Sequence, residues 1–215
     1  MAEFDWDEFE AAVHLLKSGV KELPFRDVIK AATDYQITQF NEDSRNTVRM
    51  ISAWIENNLQ HLSDYVETEY EGRSNELGNF VEAWLIDALD NQLPLSCKRP
   101  RTGEGHAQAV GYPDGIIRDN EVNIYFDVKT YQAKTKDTTL RSFYYQPTNQ
   151  SKIHYDAPHF LIGFEVESLG GSNRSPFKII EFTLVDVYNM MVLFKAEFNT
   201  SNRFIYALRS PLGKE

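Results

Sequence analysis

A single cysteine, Cys97, stands in a chain of 215 residues. No intrachain disulfide can form, and a zinc centre built from thiolates is excluded. Long apolar runs are missing too. The longest continuous ones, such as Phe160–Phe164 and Met190–Phe194, fall far below the ~20 residues that span a bilayer. The opening Met-Ala-Glu-Phe-Asp-Trp-Asp has neither the basic start nor the apolar centre of a secretory signal, so a cytoplasmic protein with no membrane partner is expected. The five histidines, His14, His61, His106, His154 and His159, include no pair at His-Glu-x-x-His spacing, which argues against a zinc hydrolase. There is no phosphate-binding Gly-x-x-x-x-Gly-Lys-Ser/Thr loop and no Gly-x-Ser-x-Gly elbow. Cys97 lies beside Lys98 and Arg99 without a histidine partner in sequence and reads as a small structural residue.

Positive charge is scarce overall, the net charge being −10. Phosphate binding is driven by Lys and Arg, so this total counts against a nucleic-acid partner. The distribution reverses that impression. Residues 1–90 carry 7 basic and 19 acidic side chains, whereas residues 91–215 carry 15 basic and 13 acidic. Between Cys97 and Lys152 there are nine basic against six acidic residues, clustered at Lys98, Arg99 and Arg101 and at Lys134, Lys136 and Arg141. A locally basic groove on an acidic body is compatible with DNA, as is a plain solvated surface.

What is present is a core-forming composition, 42% apolar and 13% aromatic, enough for one ordinary domain. The first third has helical spacing. Phe9, Val13 and Leu16 form one short stripe, and Val28, Ala31 and Ala32 a second. Val48, Ile51, Ile55, Leu59 and Leu62 predict a long helix from about Asp43 to Val66. Ser74 or Asn75 is placed to cap another, carrying Leu77, Phe80, Val81, Trp84, Leu85, Ala88 and Leu89 and ending before Pro94. Beyond Leu95 the pattern turns to strands, at Ile116–Arg118, Val122–Val128, His159–Glu167, Lys178–Val187 and Arg203–Leu208. Helices first and strands after predict an α+β (mixed α/β) fold, with a helical region over 1–72 and a sheet-bearing core over 73–215.

The chemistry concentrates at Tyr112-Pro113-Asp114, twelve further residues, and then Asp127-Val128-Lys129. Along a strand Ile124, Phe126 and Val128 point one way and Tyr125, Asp127 and Lys129 the other. If Asp119–Val122 make a four-residue turn, Arg118 pairs with Asn123 and Asp114 falls opposite Asp127, with Cβ atoms roughly 4.5–5.5 Å apart. Two carboxylates that close repel unless a cation lies between them. Hard oxygen ligands of this kind suit Mg²⁺, which takes one or two carboxylates with water and phosphate. Asp114 and Asp127 are thus candidate metal ligands, with the backbone carbonyl of Val128 as a further donor. Lys129 is placed either to orient a water or to stabilise charge on a phosphorane. The alternative is a plain Pro-Asp turn and an exposed strand face, between which pattern alone does not choose.

Tyr-Pro-Asp114 followed by Phe-Asp127-Val-Lys129-Thr resembles the signature of the PD-(D/E)XK nuclease superfamily, and within it the type II restriction endonucleases. The resemblance covers roughly Asn75 to Val187. It implies a restriction-endonuclease-like mixed β-sheet flanked by helices. It also implies Mg²⁺-dependent cleavage of double-stranded DNA at a specific sequence, 5′-phosphate ends, a homodimer, and a cytoplasmic home in a bacterium or archaeon. The helix reading Gly78-Asn79-Phe80-Val81-Glu82 is similar to the family's first core helix, which makes Glu82, with Glu76 as the alternative, a further acidic candidate. The polar stretch after the strand implies DNA contacts from Gln132, Lys134, Lys136, Arg141, Gln146, Asn149, Gln150 and Lys152, with Tyr144–Gln150 as the reading segment. Lys98, Arg99 and Arg101 suit phosphates better than bases. The acidic N-terminal helices suit dimerisation or core packing better than Leu23–Phe40 suits half of a helix-turn-helix. The rival readings are another nuclease of the superfamily, for repair or junction cleavage, and a catalytically silent DNA-binding protein.

Overall fold

The structure is a computed structural model and describes residues 5–17, 22–106, 111–135, 143–170 and 176–194. Residues 24–190 form one compact unit; 5–23 and 191–194 belong to another. The smaller unit holds helix α1 (Trp6–Lys17) and a two-stranded sheet of β1 (Glu22–Pro24) and β7 (Met191–Leu193). Asp5 starts α1 by accepting hydrogen bonds at Oδ1 from the backbone N–H groups of Asp7 (2.9 Å) and Glu8 (3.1 Å).

In the larger unit α2 spans Phe25–Thr33 and α3 spans Glu42–Glu69. Asn41 caps α3 with its side chain, which accepts from Ser44 N–H at 2.9 Å. The repeat of Ile51, Ile55, Leu62 and Val66 then gives α3 a buried stripe. Helix α4 (Leu77–Gln92) begins later than its best capping residues suggest. Ser74 and Asn75 lie in a turn closed by the Glu76 N–H on the Arg73 carbonyl (3.0 Å), and the N-cap position falls to Glu76, whose side chain makes no capping bond.

Five strands follow: β2 (Ser96–Lys98), β3 (Gly115–Asp119), β4 (Val122–Tyr131), β5 (His159–Ser168) and β6 (Phe177–Asp186), in the spatial order β2-β3-β4-β5-β6. Only the β4–β5 pair is parallel, which requires the long connection between them. The predicted strands 116–118, 122–128, 159–167 and 178–187 all form with small extensions or shifts; Arg203–Leu208 lies outside the described residues. The three-residue strands β1, β2 and β7 are too short to leave an alternating pattern.

The alternation in β4 sorts its side chains as its sequence requires. Ile124, Phe126 and Val128 join the main core with Ile51, Leu62, Leu77, Val81 and Leu85 from α3 and α4 and with Phe160, Ile162 and Phe164 from β5. Aromatic residues pack together beyond this core: Phe25 meets the rings of Tyr112 (5.2 Å) and Phe143 (5.0 Å), and Tyr125 meets His159 (4.8 Å). β4 is therefore buried on both sides through Ile124–Val128. The result is an α+β protein, a mixed five-stranded sheet flanked by helices with an N-terminal helical region, consistent with the restriction-endonuclease-like fold. Among the described residues no helix is long and apolar enough to cross a membrane.

Candidate active site

The β3–β4 hairpin sets the site. Arg118 pairs with Asn123 and Asp119 with Val122, with Asn120 taking a left-handed conformation (φ 52°) that asparagine tolerates. The ladder runs back to Gly115 opposite Phe126, and Asp114 directly precedes it, its carboxylate close enough to Asp127 for each charge to bear on the other. Gly115 is required here: a Cβ at this position would lie 2.1 Å from the Phe126 ring, which occupies the space over its Cα. Asp114 is tied to β4 twice. Its N–H donates to the Phe126 carbonyl (3.1 Å), and its Oδ2 accepts from the Val128 N–H (2.8 Å).

Asp127 is 2% exposed, and the Lys129 ammonium lies against its Oδ2. The Lys129 ammonium is therefore the charged partner of a carboxylate that is otherwise enclosed by the protein. Lys129 also donates to the Val128 carbonyl (3.2 Å) and sits 5.8 Å from the centre of the Phe143 ring. Burial, and then the facing charge of Asp114, push the Asp127 carboxyl up to about 7, with Lys129 opposing them.

Glu82 projects from α4 and is 4% exposed. Arg99 holds its Oε1 at 2.8 Å. Burial again, then Asp114, raises this carboxyl to about 7 against the pull of Arg99, Lys152 and Lys129. Glu76, the other acidic candidate, occupies the N-cap position of α4. The site thus gathers Asp114, Asp127, Glu82, Lys129, Arg99 and Lys152.

Two neighbouring carboxylates, Asp114 and Asp127, are a donor set of the kind that suits a hard divalent ion. Asp114 and Asp127 are the side chains able to hold it, beside the Val128 carbonyl. Among the described residues no three acidic, histidine or cysteine side chains converge as a metal-holding group. Mg²⁺ needs only one or two carboxylates when water and phosphate complete its shell.

The residues expected to touch DNA separate into groups. Lys134, Gln146 and Asn149 are exposed, Gln132 and Gln150 half-buried, and Lys136 and Arg141 lie outside the described residues. Gln146 accepts from the Tyr144 hydroxyl at 2.6 Å. Lys98 is exposed and ion-paired with Asp90; Arg101 donates to the Gly105 carbonyl at 3.2 Å. Arg99 is exposed but reaches the buried Glu82 carboxylate with its guanidinium. Lys152 is buried, 4% exposed, and burial lowers its ammonium against the charges of Asp114, Glu82 and Asp127. Membership of Lys152 and Arg99 in the acid cluster escaped the sequence reading. For Lys152 the local sign is the neighbouring Ile153, the lone aliphatic residue between Arg141 and Ala157.

Two further buried groups support the site. The Tyr112 hydroxyl and His159 Nδ1 are 2.6 Å apart, and both side chains are buried. Burial drives the Tyr112 phenol well above its usual value and the His159 imidazole down to about 3, so a neutral phenol meets a neutral ring. Cys97 is fully buried in β2, its thiol pushed up to about 12 by desolvation and then by Asp90, which fits an inert packing residue.

The sequence has a relative among known proteins. The chain is 26% identical over 219 residues to the type II restriction enzyme MjaV of Methanocaldococcus jannaschii, an alignment covering 94% of this chain and 92% of that protein. The model of the type II restriction enzyme MjaV family matches residues 18–209, spanning the hairpin, the buried acids and Lys152. On that match, the chain belongs to the type II restriction enzyme MjaV family.

Proposed function

We propose that this chain is a Mg²⁺-dependent type II restriction endonuclease of the PD-(D/E)XK kind, which hydrolyses phosphodiester bonds of double-stranded DNA at a specific sequence and leaves 5′-phosphates. The observation that carries the reading is Asp114 bound by its side chain to the Val128 N–H, next to buried Asp127 with Lys129 against it. Family membership supports the same activity class.

In this reading Asp114 and Asp127 hold the ion, and the Val128 carbonyl completes the protein's share of the donors. Bound there, Mg²⁺ supplies Lewis acidity toward the phosphodiester and its attacking water. Lys129, fixed by Asp127 and the Val128 carbonyl, stabilises negative charge gathering on the phosphoryl oxygens. The Tyr112–His159 pair and the rings around it exclude water behind the acids. The segment Tyr144–Gln150 and Lys134 contact the DNA, and the acting species is a homodimer on a two-fold site. Regions 1–72 and 73–215 are proposed as a dimerisation region and a nuclease core.

Incubation of the protein with plasmid and Mg²⁺ tests this directly. Discrete fragments are the expected result; a smear would point to a nonspecific nuclease, and intact DNA in every metal would contradict the proposal. Lys129→Ala is expected to lower the cleavage rate at least ~100-fold, in the range of a lost transition-state charge contact, while DNA binding persists. Cleavage at the wild-type rate would remove Lys129 from the mechanism.

A further inference from the structure

Exposure alternates along residues 143–146. Phe143 and Tyr145 are half-buried, whereas Tyr144 and Gln146 are exposed. The two half-buried rings rest on one apolar floor. Phe143 meets Phe25 at 5.0 Å and Tyr112 at 5.6 Å, and Tyr145 meets the same two rings at 5.6 Å and 6.0 Å. All four contacts are edge-to-face, an arrangement that ring quadrupoles favour. Phe25 and Tyr112 are both buried, so the floor is part of the folded interior and anchors the segment above it.

Phe143 makes a second kind of contact. The Lys129 ammonium lies over its ring, 5.8 Å from the centre, within the ~6 Å reach of a cation–π attraction. The same ammonium lies against Asp127 and donates to the Val128 carbonyl at 3.2 Å. Both of those partners belong to β4, the strand that carries Lys129 itself. The lysine stem is flexible, and its side chain is 29% exposed, so a contact from another segment restricts how far the charge can swing toward solvent. An aromatic face attracts a cation without offering a lone pair, and an ammonium has three N–H groups to give. The ring thus steadies the charge and leaves N–H capacity for a phosphoryl oxygen.

We propose that Phe143 is a positioning residue for Lys129. Its ring holds the ammonium at the site and ties it to the segment that presents Tyr144 and Gln146 to solvent. This rests on the charge-stabilising role given to Lys129 in the nuclease reading. Phe143 acts on the cleavage step rather than on affinity for DNA.

The test is single-turnover cleavage of plasmid with enzyme in excess, repeated over a range of enzyme concentrations. It separates the rate at saturation from the concentration that gives half of it. Phe143→Leu keeps an apolar side chain and removes the π face; it is expected to lower the saturated rate about three- to thirtyfold, the range of a cation–π contact, at an unchanged half-saturating concentration. Phe143→Tyr keeps the face and is expected to stay within about twofold of wild type. Fluorinated phenylalanines at position 143 withdraw the negative face at nearly constant shape, and cleavage is expected to slow stepwise with each added fluorine. A wild-type rate in Phe143→Leu overturns the proposal, as does a Phe143→Tyr as slow as Phe143→Leu. A loss in Phe143→Leu that the fluorinated rings do not reproduce reduces the ring to packing and overturns it too, and so does a change confined to the half-saturating concentration. Cleavage lost in Lys129→Ala but indifferent to every change at Phe143 removes this inference and spares the nuclease reading, whereas a wild type that cuts no DNA removes both.

Discussion

At the scale of single residues the site works against the stability of the fold around it. Asp127 is buried beside another carboxylate, and its folded-state value of about 7 lies far above the ordinary 3.8. Between these values the folded chain holds a proton that the unfolded chain has released. The stability associated with that proton is complete below about pH 4 and is lost as pH rises through about 7, a change on the order of a few kcal/mol. Glu82 acts in the same direction, from 4.5 to about 7. Asp127→Asn removes an ionisation that the interior disfavours. The metal-free variant is therefore expected to melt above wild type at pH 8 by roughly 5 °C, given about 2–4 °C per kcal/mol for a chain of this size. The gap should close towards pH 5. Melting curves that show the same difference at both values would contradict the burial account of Asp127. His159, held down to about 3, acts in the opposite direction, since below the ordinary 6.5 the unfolded chain takes up a proton that the folded chain does not. Wild type and Asp127→Asn share this effect, so it drops out of their difference.

At the scale of elements the decisive unit is the hairpin. Strand side chains alternate with a period of two, so a slip of one residue sends Asp114 to the opposite face. Inserting one glycine after Asn120 is expected to abolish cleavage while circular dichroism retains the helical signal; cleavage at the wild-type rate would show that the facing of Asp114 and Asp127 is dispensable. Gly115→Ala tests the same unit more gently. Its Cβ would fall 2.1 Å from the fully buried Phe126 ring, and overpacking of this kind costs about 1–3 kcal/mol. A lowered melting temperature together with reduced cleavage is expected, and an unchanged enzyme would contradict the close packing at that step.

The hairpin was also the most legible part of the sequence, because the polar Asp119–Val122 turn and the alternation of Ile124, Phe126 and Val128 fix register locally. Helix α3 was legible for a similar reason, its apolar stripe repeating over many turns. The start of α4 was less so, because Ser74 and Asn75 are good capping residues that the chain uses in a turn instead. Strand β2 has only three residues, too few to register a period. Composition marks Lys152 and Arg99 as DNA contacts. The burial of Lys152 and the pairing of Arg99 with Glu82 depend on segments distant in sequence meeting in the fold, which no local window contains.

At the scale of the whole molecule, net charge and activity pull in different directions. A chain of net charge −10 repels DNA at long range, so the complex proposed above would draw on local cations such as Lys134 and on a bound divalent ion. Affinity for DNA is accordingly expected to rise when Ca²⁺, which binds oxygen ligands without replacing Mg²⁺ in chemistry, is added to the mixture. Gel-shift titrations with and without Ca²⁺ read this directly, and indifference to the ion would contradict a metal shared between protein and phosphate. Recognition of a two-fold site further predicts a particle of twice 24.9 kDa in sedimentation; a monomer bound to its cleaved sequence would contradict it.

The measurement that bears most directly on all of this is anomalous diffraction from crystals of the protein soaked in Mn²⁺. The account predicts a peak between the Asp114 and Asp127 carboxylates, within about 2.0–2.4 Å of an oxygen from each. A peak bound elsewhere, or none at this position at saturating Mn²⁺, would contradict it.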